Sequence, residues 1–261
     1  MPYVDAPSEF NVRSIFTSIE GEEKTGKTHL ALTLASPHMT TGVIDLNNGL
    51  GGVVHKRVQQ IGAGHIKIAR HPMPEGEDKD KVKQAAGRVW GAMRADFIPS
   101  IQKNRLTIVD SGTEIWLLSR QKHFGDAKST DKKGSLDYEG ANSAARGLYG
   151  LHNQFNNHLV VTHQMDDEFK QQKDPDTGRL KAVRTGGRVA DGFKEIPFMI
   201  EVVLRTEKRI TNEGMFFVAT LRVCRFNPRL EGTEFSEQND MFRLPYIYSY
   251  ITDTEEVFWL R

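Results

Sequence analysis

The sequence predicts an α/β fold, a mostly parallel twisted sheet flanked by helices with an antiparallel hairpin added towards the C-terminus. Three observations lead there. Short apolar runs ending in polar residues, Thr41-Gly42-Val43-Ile44-Asp45, Arg105-Leu106-Thr107-Ile108-Val109-Asp110-Ser111 and Leu159-Val160-Val161-Thr162-His163-Gln164, read as strands buried on both faces, as parallel sheets require. A glycine-containing turn, Gly21 to Thr28, separates apolar Val12 to Ile19 from a segment bearing Ala31, Leu32 and Leu34, so strand, turn and helix follow one another. From Phe198 the pattern changes to two strand-like runs, 198–204 and 215–226, joined across Asn212-Glu213-Gly214.

The turn Gly21-Glu22-Glu23-Lys24-Thr25-Gly26-Lys27-Thr28 fits the spacing G-x-x-x-x-G-K-[ST]. Two glycines let a backbone wrap closely round a polyphosphate with its N–H groups inward, and a helix opening beside Lys27 adds its positive end. Lys27 reaches the outer phosphates, and the Thr28 hydroxyl is the expected direct ligand to Mg²⁺. The candidate nucleotide-binding set is therefore Gly21, Glu22, Glu23, Lys24, Thr25, Gly26, Lys27, Thr28 and the adjoining His29. Glu22 and Glu23 are the unusual members, for they must point outward or weaken anion binding.

Beyond the first helix, Asp45 ends a strand and Leu46-Asn47-Asn48-Gly49-Leu50 follows. This stretch either puts an acid or amide near the nucleotide or is simply a turn, since Asn-Gly is a strong turn signal. A further strand is expected over Gly64 to Ala69, a linker over His71 to Lys81, and a helix over Val82 to Ile98. Its stripe of Ala86, Val89, Trp90, Met93 and Phe97 belongs to the core. Asp110, at the C-terminal end of its strand, is the expected second metal-side residue, close to Thr28. Residues 119–147 read as a polar loop opening into a helix with Ala144, Leu148, Leu151 and Phe155 on one face.

If the strand ending in Gln164 lies beside that of Asp110, Gln164 stands near the terminal phosphate; otherwise its side chain hydrogen-bonds the next turn. The segment Met165 to Asp191 begins with Asp166, Asp167 and Glu168, then carries Arg179, Lys181, Arg184 and Arg188 among glycines. Read as a flexible basic loop, these four are DNA-backbone contacts. A solvated hairpin turning at Asp174-Pro175-Asp176-Thr177-Gly178 explains the same residues without nucleic acid. On the C-terminal hairpin, Lys208, Arg222 and Arg225 either reach a neighbouring subunit's nucleotide or are surface charges. The aromatic tail (Phe242, Tyr246, Tyr248, Tyr250, Phe258, Trp259) is expected on the core or on a partner.

A length of 261 residues accommodates one large α/β domain over 1–261, with its core at about 12–226 and an extension at 227–261. With 35 basic and 34 acidic residues, nucleic-acid binding has to be local. The single cysteine, Cys224, excludes an internal disulfide and a multi-cysteine zinc site. No apolar run reaches bilayer length, and Met1 to Asp5 lacks a basic and apolar signal, so the expectation is a cytoplasmic protein without membrane contact.

Taken in order, the phosphate loop, Val43-Ile44-Asp45, Ile108-Val109-Asp110-Ser111, Asn142-Ser143-Ala144-Ala145-Arg146 and Val161-Thr162-His163-Gln164 resemble the RecA-like recombinase core over residues 12–226. The likeness is greatest to the phage-encoded RecA-like ATPases of the Sak single-strand annealing group. That resemblance implies a RecA-like P-loop NTPase using ATP and Mg²⁺, assembled as a homo-oligomeric ring or filament on single-stranded DNA, with a single-strand-binding protein as a further partner, in the host-cell cytoplasm. It places two DNA-binding loops at 125–142 and 165–188 and makes Gln164 the link between nucleotide state and the second loop. One position departs from the family. The water-activating glutamate that usually follows the strand of Asp45 is matched here by Asn47, an amide that orients water but takes no proton. Glu114, beyond Asp110, is the candidate substitute, so the candidate catalytic residues are Lys27, Gln164, Glu114 and Asn47. A nucleotide-controlled scaffold or loader and a P-loop kinase acting on a small molecule are the competing readings.

Overall fold

The structure, a computed structural model, describes residues 14–62, 64–125, 138–173, 180–193, 196–212 and 214–260. The chain begins with β1 (Phe16–Gly21), α1 (Lys27–Leu32), β2 (Thr41–Asp45), α2 (Gly51–Ile61), β3 (Ile66–Arg70), α3 (Lys79–Lys103), β4 (Leu106–Asp110) and α4 (Gly112–Phe124). It continues with α5 (Glu139–Tyr149), β5 (His158–His163), β6 (Met165–Lys173), β7 (Leu180–Ala190), β8 (Val202–Thr211), β9 (Gly214–Cys224), β10 (Glu234–Ser236) and α6 (Leu244–Thr252).

Among the described residues the main sheet has eight strands in the order β10-β9-β8-β1-β5-β4-β2-β3. From β8 to β3 neighbouring strands are parallel, while β9 and β10 are added antiparallel. This is the expected mostly parallel sheet with an antiparallel hairpin at its C-terminal side. β2, β4 and β5 are buried along their whole length, which is why they read as unbroken apolar runs. Alternate residues feed two cores. Ile19, Val43, Ile108 and Val160 pack with Leu30, Leu34 and Val54 from the α1 and α2 side and with Ile247, Tyr248 and Trp259 from the C-terminal segment. Phe16, Ile44, Val109 and Val161 pack on the other face with Trp90, Met93 and Phe97 of α3, Leu118 of α4 and Tyr149 of α5. The tail therefore sits on the core, where the Tyr248 hydroxyl meets Thr17 Oγ1 of β1 at 2.6 Å.

Several elements differ from expectation. α2 lies where no helix was expected, although Val54, Val58 and Ile61 recur at helical spacing and face the core; only Val54 of its 11 residues is fully buried. The polar segment from 119 begins inside α4, which ends at Gly125 in the left-handed conformation (φ 72°). α4 escaped notice because its buried positions include Thr113, Glu114 and Ser119. α3 starts earlier than expected, at Lys79, because the Asp78 carboxylate accepts from the N–H groups of Asp80 (3.1 Å) and Lys81 (3.2 Å), and it carries Pro99 before ending at Lys103. The segment from Met165 to Asp191, expected as a flexible loop, is a two-stranded antiparallel ribbon of β6 and β7. Its pairing runs from Met165↔Ala190 to Lys173↔Leu180, so the hairpin alternative describes it. The ribbon's expected turn, with Arg179, and most of the expected loop at 125–142 lie outside the described residues. No helix among the described residues is long and apolar enough to cross a membrane.

Candidate functional site

The C-terminal ends of β1, β5, β4 and β2 form one edge, and the glycine-rich loop rises from it between β1 and α1. Gly26 is held at φ 87°, and a Cβ there would meet the Phe217 ring at 3.0 Å. A Cβ on Gly21 would fall 2.4 Å from Thr206 Oγ1. Both positions thus demand glycine on steric grounds. The Thr25 hydroxyl donates to the Glu22 carbonyl at 2.8 Å and lies 2.9 Å from Thr206 Oγ1, which fastens the loop to β8. α1 opens directly after Gly26 and has six residues. The Lys27 ammonium donates to the carbonyls of Gly21 (2.7 Å) and Glu22 (2.6 Å). Burial lowers its pKa, opposed by Asp110 and the loop glutamates. Glu22 and Glu23 are both exposed, so neither fills the loop.

Thr28 and Asp110, 82 residues apart, come together: the hydroxyl donates to Asp110 Oδ2 at 2.9 Å. Asp110 is buried, and its other oxygen accepts from Thr162 Oγ1 at 2.6 Å. A hydroxyl and a carboxylate side by side are a hard-oxygen donor set suited to Mg²⁺, which keeps waters and binds few protein groups. Next to them, Glu114 gathers the remaining sequence candidates. Gln164 Nε2 donates to its carboxylate at 3.4 Å, Ser111 donates its hydroxyl to it, and the Asn47 side chain lies near enough to favour its charged form. Burial, with Asp110 and Asp191 nearby, pushes the Glu114 carboxyl up to about 7. The turn reading of the Asp45 stretch is what the hydrogen bonds show. Asp45 Oδ1 accepts from the N–H groups of Asn47 (3.1 Å) and Asn48 (2.9 Å), forming the turn, while the carboxyl, raised by burial and by Asp110, sits at the same edge.

Two parts of the site were missed in the sequence. His163 is fully buried at the end of β5, its Nδ1 2.8 Å from Ser18 Oγ, and burial plus the Lys27 charge hold it neutral with a pKa of about 4. Its only signal is a polar residue ending a buried strand. A cavity of about 640 Å³ opens beside the loop and continues to Val53, Lys56, Phe217 and Glu237. His29 borders it and stacks on Phe242 with centroids 6.3 Å apart.

The basic candidates are distributed differently. Arg184 and Arg188 both pair with Asp167 on the opposite strand, Arg188 at 3.0 Å, and Arg188 also reaches Glu22 at 2.5 Å. Asp167, from the acidic start of the same segment, and the distant Glu22 neutralise part of the expected basic surface. Lys181 is exposed, opposite Gln172, and Arg179 lies outside the described residues. Arg225 donates to the carbonyls of Pro197 (3.2 Å) and Phe198 (2.7 Å) of its own chain.

The chain matches no protein-family profile and no curated protein sequence. Among solved structures it is similar to a KaiC-like protein of the hyperthermophilic archaeon Pyrococcus horikoshii, at 13% identity and a TM-score of 0.44, covering 85% of this chain and 84% of that one. It is also similar to the flagellar accessory protein FlaH of Methanocaldococcus jannaschii, at 14% identity and a TM-score of 0.43 with the same coverage.

Proposed function

We propose that this chain binds ATP with Mg²⁺ and hydrolyses it, and that nucleotide state is passed through Gln164 to the β6-β7 ribbon. The observation that carries the reading is the convergence of Lys27, the Thr28–Asp110 pair and the Glu114–Gln164–Asn47 cluster on one edge of the sheet. The phosphates lie in the loop under Lys27, and the base enters the cavity towards Phe217. Thr28 and Asp110 hold Mg²⁺, which neutralises charge on the phosphate oxygens when bound. Glu114 takes the proton of the attacking water in place of Asn47, and Gln164 orients that water.

Further along the same reading, the ribbon contacts single-stranded DNA in a ring or filament of copies that promotes annealing or strand exchange in phage recombination. Its exposed faces support this, for Lys170 and Lys181 lie on a ribbon that also exposes Phe169, 56% accessible. One observation favours the nucleotide-controlled scaffold instead. With Arg184 and Arg188 already matched by acids, the exposed Phe169, Val183 and Val189 suit a protein partner.

Phosphate release and ATP titration, each with and without Mg²⁺ and single-stranded oligonucleotide, test the reading. Saturable binding lost in Lys27→Ala, with turnover raised by the oligonucleotide, is the expected result. Absence of ATP binding by the unmodified chain overturns it, and turnover indifferent to the oligonucleotide removes the DNA part.

A further inference from the structure

Two cations converge on one residue of the phosphate loop. The Lys27 ammonium lies on the Glu22 carbonyl at 2.6 Å, and the Arg188 guanidinium lies on the Glu22 carboxylate at 2.5 Å. We infer that Arg188 is the transition-state arginine of this site, supplied from the chain's own ribbon, and that Glu22 holds it until a triphosphate arrives. The inference rests on the ATPase reading above.

Arg188 is well placed for this. Its other contacts, Asp167 Oδ1 at 3.0 Å and the Met165 carbonyl at 3.1 Å, belong to the base of the ribbon. That base is fixed: Asp191 N–H donates to the Gln164 carbonyl at 2.8 Å, Thr113 Oγ1 to the Asp191 carbonyl at 2.6 Å, and Gln164 N–H to Thr113 Oγ1 at 3.1 Å. Thr113 adjoins Glu114, so the arginine and the candidate base are carried by one connected unit. The Arg188 and Glu22 side chains are 39% and 59% exposed, which leaves both free to exchange partners. A bound triphosphate presents several negative charges and paired oxygens, a stronger match for a guanidinium than one solvated carboxylate. The loop glutamate that would otherwise oppose anion binding thereby acquires a role as placeholder for the phosphate.

In the step itself, water oxygen bonds to the γ-phosphorus as the bond from that phosphorus to the β–γ bridging oxygen breaks. The electron pair leaves with ADP, and the water proton passes to Glu114. Arg188 forms no bond; it donates hydrogen bonds to the oxygens on which charge builds up.

The test is steady-state phosphate release from Mg-ATP by the full chain, alongside ATP affinity and thermal melting. Arg188→Ala should lower kcat about 10³-fold while ATP affinity changes less than about tenfold. Arg188→Lys should recover only a minor part of the loss, and added guanidinium ion should restore turnover to Arg188→Ala. Glu22→Gln, which releases the arginine, should lower KM several-fold. A kcat in Arg188→Ala within about threefold of the parent overturns the inference while leaving the ATPase reading intact. So does a loss that guanidinium does not rescue and that tracks a fall in melting temperature, since the arginine is then only a tie between ribbon and loop. A parent chain that neither binds nor hydrolyses ATP overturns both.

Discussion

Replacing Glu114 by Gln separates the energetic and chemical consequences of burying this carboxyl. The side chain is 8% exposed and its pKa rises from 4.5 to about 7, chiefly through burial. In the unfolded chain it returns to its ordinary value. A carboxyl raised by folding contributes stability that is fully present below pH 4.5 and is lost as pH climbs through about 7. Across that window the loss amounts to about 3 kcal/mol. Glutamine has nearly the same shape and no charge to desolvate. Glu114→Gln should therefore match the parent near pH 4.5 and exceed it by about 3 kcal/mol at pH 8, measured by urea unfolding at the two pH values. In the same protein ATP turnover should fall about 10²–10⁴-fold, the usual worth of a general base, whereas parent turnover should rise with pH through about 7. Equal stability of the two proteins at pH 8 would refute the desolvated carboxyl. Unchanged turnover would refute its role as base.

Asn47→Glu should lower turnover near neutral pH, because a second carboxylate against Glu114 and near Asp110 keeps Glu114 protonated; a rise in phosphate release would show that position 47 limits the reaction. Gly26→Ala should cost about 1–3 kcal/mol in denaturant unfolding and abolish ATP binding, since φ 87° and the Phe217 ring both exclude a Cβ; wild-type stability would mean that the loop relaxes freely. Lys170→Ala with Lys181→Ala should flatten the salt dependence of single-strand binding while sparing ATP affinity, and an unchanged slope would mean that the ribbon is not the DNA surface.

The sheet was legible because β2, β4 and β5 are buried from end to end and each reads as a short apolar run. The proximity of Thr28 to Asp110 followed from a loop of fixed spacing and a strand ending in an acid, two local signals that the parallel topology brings to one edge. Glu114 could be named because it is an acid that follows Asp110 by four residues. The opposite wall of the cavity could not, since Val53 and Phe217 look like any core residues and reach the loop only through α2 and β9. The pairing of Asp167 with Arg184 and Arg188 was hidden for a related reason. It depends on the register of the ribbon across 17 and 21 positions, and a one-residue slip would turn the acid to the opposite face. His163 left almost no trace, because a buried neutral imidazole resembles any polar end to a strand.

β5 ends at His163 and β6 begins at Met165, so Gln164 is the whole of the joint between them. β6 has nine residues, a span of about 30 Å at the usual strand rise. Under the proposed function, an arm of this length would act as a lever: a small tilt at Gln164 would become a sweep of several ångströms at the far tip. On that reading, a displacement of one amide beside the loop would be felt by whatever the ribbon touches.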